Sequence, residues 1–94
     1  MSTATSDATL AVCEEVRAER ARQRLKFPDD DRSPFEFLAI LGEEYGEACR
    51  AAVQADRGLG SWRHYRQELI HAAAVALAAA EAMDRSGDLT GGGR

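Results

Sequence analysis

From Ala72 to Ala80 nine consecutive residues carry no polar side chain: Ala-Ala-Ala-Val-Ala-Leu-Ala-Ala-Ala. Alanine of this density reads as helix. A helix that is apolar on nearly every side must be covered on every side. The rest of a 94-residue chain supplies too few neighbours to do that. An all-α bundle of up-down helices, completed by a homodimer or homotetramer, is therefore the expected architecture. The run is too short to span a bilayer, which takes roughly 18 or more apolar residues.

Turn signals cut the chain into three helical segments. The first is expected from Ser6 or Asp7 to about Lys26, with Asp7, Glu14 and Glu15 early and Arg17, Arg20, Arg22, Arg24 and Lys26 late. That order complements the helix dipole. Leu10, Val12, Cys13, Val16 and Leu25 give it a thin apolar side, and Pro28 closes it. Asp29-Asp30-Asp31-Arg32 reads as a solvated loop, since calcium-loop ligand spacing is absent. Ser33-Pro34-Phe35-Glu36 is the clearest start signal: a cap, a proline at the first position and a capping-box glutamate. The second helix follows to about Asp56. Arg57-Gly58-Leu59-Gly60 is a turn, Ser61 a cap, and the third helix runs to about Arg85. No strand pattern or internal repeat occurs. One helical domain over residues 6–86 is expected, with flexible ends at 1–5 and 87–94.

Composition excludes several classes. The net charge of −4 is not that of a nucleic-acid binder. No signal peptide or membrane span is legible, so a cytoplasmic protein is expected. Cys13 and Cys49 lack metal-ligand spacing and read as small buried residues in a reducing compartment rather than a disulfide.

Two acidic spacings carry chemistry. Glu44-Tyr45-Gly46-Glu47, preceded by Glu43, lies on the second segment, and Glu68-Leu69-Ile70-His71 on the third. Each sets two metal-capable side chains three residues apart on one helix face. Glu44 and Glu47 share a stripe with Phe37, Ile40 and Ala51, whereas Glu36, Glu43 and Arg50 form a polar stripe expected to face water. A carboxylate at the edge of a core needs compensation. Two such helices packed antiparallel can aim four groups at one divalent cation, which in turn holds phosphate.

Leu41-Gly42-Glu43-Glu44-Tyr45-Gly46-Glu47-Ala48, followed after a turn by Tyr65-Arg66-Gln67-Glu68-Leu69-Ile70-His71-Ala72, resembles the MazG-like, all-α nucleoside triphosphate pyrophosphohydrolases. Glu19 to Phe27 is similar to the Arg- and Gln-rich first helix of many small members. The resemblance spans roughly Val16 to Arg85. It implies that Glu44, Glu47, Glu68 and His71 occupy metal-ligand positions for Mg2+ or Mn2+. Glu43 and Glu44 then take catalytic positions, Glu43 placing or deprotonating the attacking water. Arg20, Lys26 and Arg63 become candidates for contact with a nucleoside triphosphate. The implied products are a nucleoside monophosphate and pyrophosphate, in nucleotide-pool cleaning.

His71 departs from the pattern, which usually has Asp there. Imidazole suits softer divalent metals than magnesium. Four roles are open to it: ligand of a softer metal, outer-shell partner of three carboxylates, phosphate contact, or mark of an impaired site. Two other readings of the chain compete. Glu68-x-x-His71 is also the spacing of ferritin-like di-iron bundles, and a degenerate helical assembly module needs no metal.

Overall fold

The computed structural model describes residues 6–28, 32–87 and 89. The expected flexible ends at 1–5 and 90–94, Asp88, and the aspartates 29–31 lie outside them. Three helices make up the described chain: α1 (Asp7–Lys26), α2 (Pro34–Asp56) and α3 (Trp62–Ser86). There is no strand among the described residues. No helix is long and apolar enough to cross a membrane.

Each helix starts where its cap dictates. Ser6 Oγ accepts from the Thr9 amide at 3.1 Å. Ser33 Oγ accepts from the Glu36 amide at 3.2 Å, while the Ser33 amide donates back to Glu36 Oε1 at 2.8 Å. That closes the expected capping box behind Pro34. Ser61 Oγ accepts from the His64 amide at 3.1 Å. At the end of α2 the Leu59 amide reaches the Gln54 carbonyl at 2.8 Å, a return that needs the positive φ of 75° at Gly58. Gly87 ends α3 with φ 72°.

The short Arg57–Ser61 connection folds α2 back against α3 as an antiparallel hairpin. Its core is made of small side chains: Ala48 and Ala51 of α2, and Ala74, Val75 and Ala78 of α3, with Phe37 the one large member. Alanines let the two backbones approach closely.

Helix α1 is attached differently. It packs on α3 and not on α2, and none of its residues is buried. Its ion pairs with α3 advance in the same direction along both helices, Glu15 to Arg66 and Arg24 to Glu81. The two helices are therefore parallel. Of the thin apolar side expected on α1, Leu10, Val12, Cys13 and Leu25 stand exposed and Val16 is half-buried. Charge holds the helix instead. Cys13 and Cys49 are also exposed, against the expectation of buried thiols, and both are free.

Much apolar surface is uncovered. On α2, Leu38, Tyr45 and Val53 are exposed, and on α3, Leu69 and Leu77.

Candidate metal centre

Glu44 enters the site from α2, and Glu68 and His71 from α3. One oxygen from each carboxylate and one ring nitrogen of His71 lie within 4.8 Å of one another. A divalent cation bound at about 2.1 Å from each donor would draw them to roughly 3–4 Å apart, a side-chain adjustment only.

The environment of these donors is unfavourable for carboxylates left alone. Glu68 is 8% exposed. Its oxygens lie 3.5 Å from His71 Nδ1 and 3.5 Å from His64 Nε2, with no hydrogen bond to either. Glu44 Oε1 is shut off from water and has no hydrogen-bond partner. Burial raises the pKa of Glu44, and the negative charge of Glu68 raises it further. His71 pulls the other way, and Glu47 and Glu19 add smaller upward pushes. An orphaned, buried carboxylate oxygen near a second buried carboxylate is costly unless it is protonated or a cation compensates it. Two carboxylates and one imidazole make a mixed donor set that suits Mn2+ or Zn2+ better than Mg2+.

The helix positions explain which expected residues arrive. On α2 the buried residues Phe37, Ala48 and Ala51 cluster around the direction of Glu44. Glu47 is rotated about 60° from Glu44, on the side opposite Ala48, and Glu43 about 100°. Glu47 therefore stops at the rim. Its side chain is 53% exposed and sits 3.6 Å from Arg50 Nη1. Glu43 is exposed on the outer face, outside the cluster, as expected for the polar stripe and away from the catalytic position that the resemblance implied.

Glu19 of α1 is the acid that sequence reasoning did not assign to the site. Its side chain is 12% exposed, and Oε2 lies 3.9 Å from His71 Nε2. Arg22 and Gln23 hold the carboxylate: Oε1 accepts from Arg22 Nε at 2.9 Å and Nη2 at 2.7 Å, and Oε2 accepts from Gln23 at 3.3 Å. No local motif marks Glu19, because only the parallel docking of α1 on α3 brings it there.

Two grooves flank the cluster. The first, about 210 Å³, runs between α1 and the hairpin over Phe37, Ile40 and Val75, with Lys26 and Phe27 at its edge, and Glu44 opens into it. The second, about 440 Å³, lies between α1 and α3, with Arg22, Arg63 and Arg66 around it, and His71 opens into it. Lys26 and Arg63, two of the three expected cationic contacts, thus stand at different grooves. Arg20 lines the first groove but is 12% exposed, its guanidinium spent on Glu81 at 2.7 Å. Trp62 and Tyr65 pack edge to face at 5.7 Å near the start of α3, and Trp62 is 56% exposed.

No protein-family model, no curated protein and no solved structure matches the chain.

Proposed function

We propose that the chain is a divalent-metal-dependent phosphoanhydride hydrolase acting on nucleoside triphosphates, with Mn2+ favoured over Mg2+. The observation that carries this reading is the convergence of Glu44, Glu68 and His71 within 4.8 Å beside the unpartnered, buried Glu44 Oε1. The likeness of the two acidic segments to MazG-like pyrophosphohydrolases supports the choice of substrate class.

Glu44, Glu68 and His71 would hold the cation. Once bound, a divalent ion neutralises charge that develops on phosphate oxygens and on the leaving pyrophosphate. The remaining work falls to the chain. The floor of the first groove, Phe37, Ile40 and Val75, offers an apolar surface to a nucleobase. Lys26 and Arg63 supply positive charge at the two groove mouths. Water attacks the α-phosphorus, the α–β anhydride bond breaks, and pyrophosphate departs. Glu47 is the remaining carboxylate of α2 within electrostatic reach of Glu44. It is open to solvent and so suited to take the proton of that water.

The second part of the reading is a homo-oligomer. Leu38, Tyr45, Leu69 and Leu77 are exposed apolar surface of the hairpin that a second copy of the same hairpin would cover. Light scattering or sedimentation measures this directly.

The decisive assay follows pyrophosphate release from a panel of nucleoside triphosphates with Mn2+ or Mg2+. Release that requires metal and is lost in Glu68→Gln is the expected result. A folded protein that turns over none of them removes the hydrolase reading.

A further inference from the structure

His71 sits between two carboxylates that approach opposite edges of its ring. Nδ1 faces Glu68 Oε1 at 3.5 Å. Nε2 faces Glu19 Oε2 at 3.9 Å. The Glu19 carboxylate comes from a different helix. It is 12% exposed and cannot swing freely, because Arg22 forks onto it at 2.7 and 2.9 Å and Gln23 ties its second oxygen.

We propose that Glu19 is the positioning residue of the metal centre: it takes the Nε2–H of His71 and so leaves Nδ1 as the ligand atom. The inference rests on the cation site proposed above. A metal-binding imidazole characteristically gives its other N–H to a carboxylate, which fixes both tautomer and ring orientation. The direct-ligand alternative for Glu19 is weaker, since Glu19 is not among the donors gathered within 4.8 Å and its oxygens already accept from Arg22 and Gln23. The buried Glu68 carboxylate receives no hydrogen bond, and Glu44 Oε1 is orphaned. A positive centre beside Nδ1 lies beside Glu68 Oε1 as well, whereas Nε2 faces a Glu19 carboxylate that already accepts hydrogen bonds.

The consequence is that α1 belongs to the metal site. It is docked on α3 by ion pairs on both sides of Glu19, Glu15–Arg66 and Arg20–Glu81. Loss of α1 docking therefore loosens the metal even though no α1 side chain touches it.

The test uses the full chain, 15N-labelled at histidine and loaded with 113Cd2+, a spectroscopic substitute for the native ion. Scalar coupling from cadmium to His71 Nδ1, with a proton on Nε2, is the expected result. Calorimetry with Zn2+ should show affinity falling roughly 10–100-fold in Glu19→Leu and by less in Glu19→Gln, which keeps an acceptor oxygen. Circular dichroism confirms that each variant is helical. If Glu19→Leu does not fold, Glu19→Gln carries the comparison, with about a threefold or greater loss expected. Coupling through Nε2, no coupling to His71, or unchanged Zn2+ affinity in the folded variants would overturn the proposal. Coupling through Nδ1 in a protein that releases no pyrophosphate would remove the hydrolase reading and leave this arrangement standing. Pyrophosphate release without that coupling would do the reverse.

Discussion

Arg20 and Glu81 join α1 to α3 through a single carboxylate oxygen, which accepts from Arg20 Nε at 2.9 Å and from Nη2 at 2.7 Å. Arg24 adds a third contact to the same atom at 3.3 Å. Since α1 buries no apolar residue, this cluster and the Glu15–Arg66 fork take the place of a hydrophobic seam. Arg20→Leu should cost about 2 kcal/mol of stability, less than a fully buried pair because Glu81 is 37% exposed. Denaturant unfolding gives the loss. Hydrogen exchange should show it concentrated in α1, and equal protection of α1 in wild type and variant would contradict the electrostatic docking.

The same pair sets an acid response. Burial alone would raise the pKa of Glu81, but the hydrogen bond and charge of Arg20, with Arg24 behind it, outweigh burial and hold it below its ordinary 4.5. Glu15 is likewise lowered, chiefly by its hydrogen bond from Arg66. A depressed carboxylate contributes stability that is present above the unfolded value and lost as pH falls through the folded one. Docking of α1 should therefore be intact at neutral pH and weaken below about pH 4.5. Hydrogen exchange or chemical shifts of α1 across that window check this. In Glu81→Gln the response should shrink.

Glu44 has the opposite sign. Its pKa is raised, first by burial and then by Glu68, so its charged form opposes folding in the metal-free protein. That cost disappears as pH falls through the raised value. Glu44→Gln should stabilise the metal-free chain by about 1 kcal/mol and abolish cation binding. Thermal unfolding with chelator present, set beside calorimetry with Mn2+, measures both effects. A destabilised, metal-competent variant would contradict the assignment.

The two outer acids separate by role. Glu47→Gln should lower kcat by about 10²–10⁴ with metal affinity little changed, as for loss of a proton acceptor. Glu43→Gln provides the comparison on the exposed face. An equal loss of kcat there would return the base role to Glu43, where the family resemblance had put it. The readout is kcat and KM for pyrophosphate release in each variant.

His71→Asp should move metal preference toward Mg2+, because it replaces imidazole by a hard oxygen donor. The ratio of Mg2+ to Mn2+ affinity, measured by calorimetry, should rise at least about tenfold. An unchanged ratio would mean that His71 does not touch the ion.

The helices themselves were legible from local chemistry. Ser6, Ser33 and Ser61 act within three residues of themselves, as do Pro34, Gly58 and Gly87, so short-range sequence sets the helix ends and the hairpin. Glu44, Glu68 and His71 were legible for a related reason: periodicity puts each on the inner face, and the short turn leaves the helices antiparallel.

Glu47 and Glu19 were not legible. A spacing of three residues states that Glu44 and Glu47 are neighbours, but where the core begins between them depends on what packs against α2. Glu19 lies in the segment that resembles the family's first helix but has no role assigned there, because its nearness to His71 is set by charge pairs between segments more than fifty residues apart. The sequence by itself determined the helical elements, their order and the inward direction of three donors, since those follow from backbone capping and helical period. Only the tertiary structure decided that α1 lies parallel to α3, that Glu19 comes within 3.9 Å of His71 while Glu47 stays exposed, and that Arg20 is tied down. Long-range ion pairs choose among helix placements that local propensity leaves equal in energy.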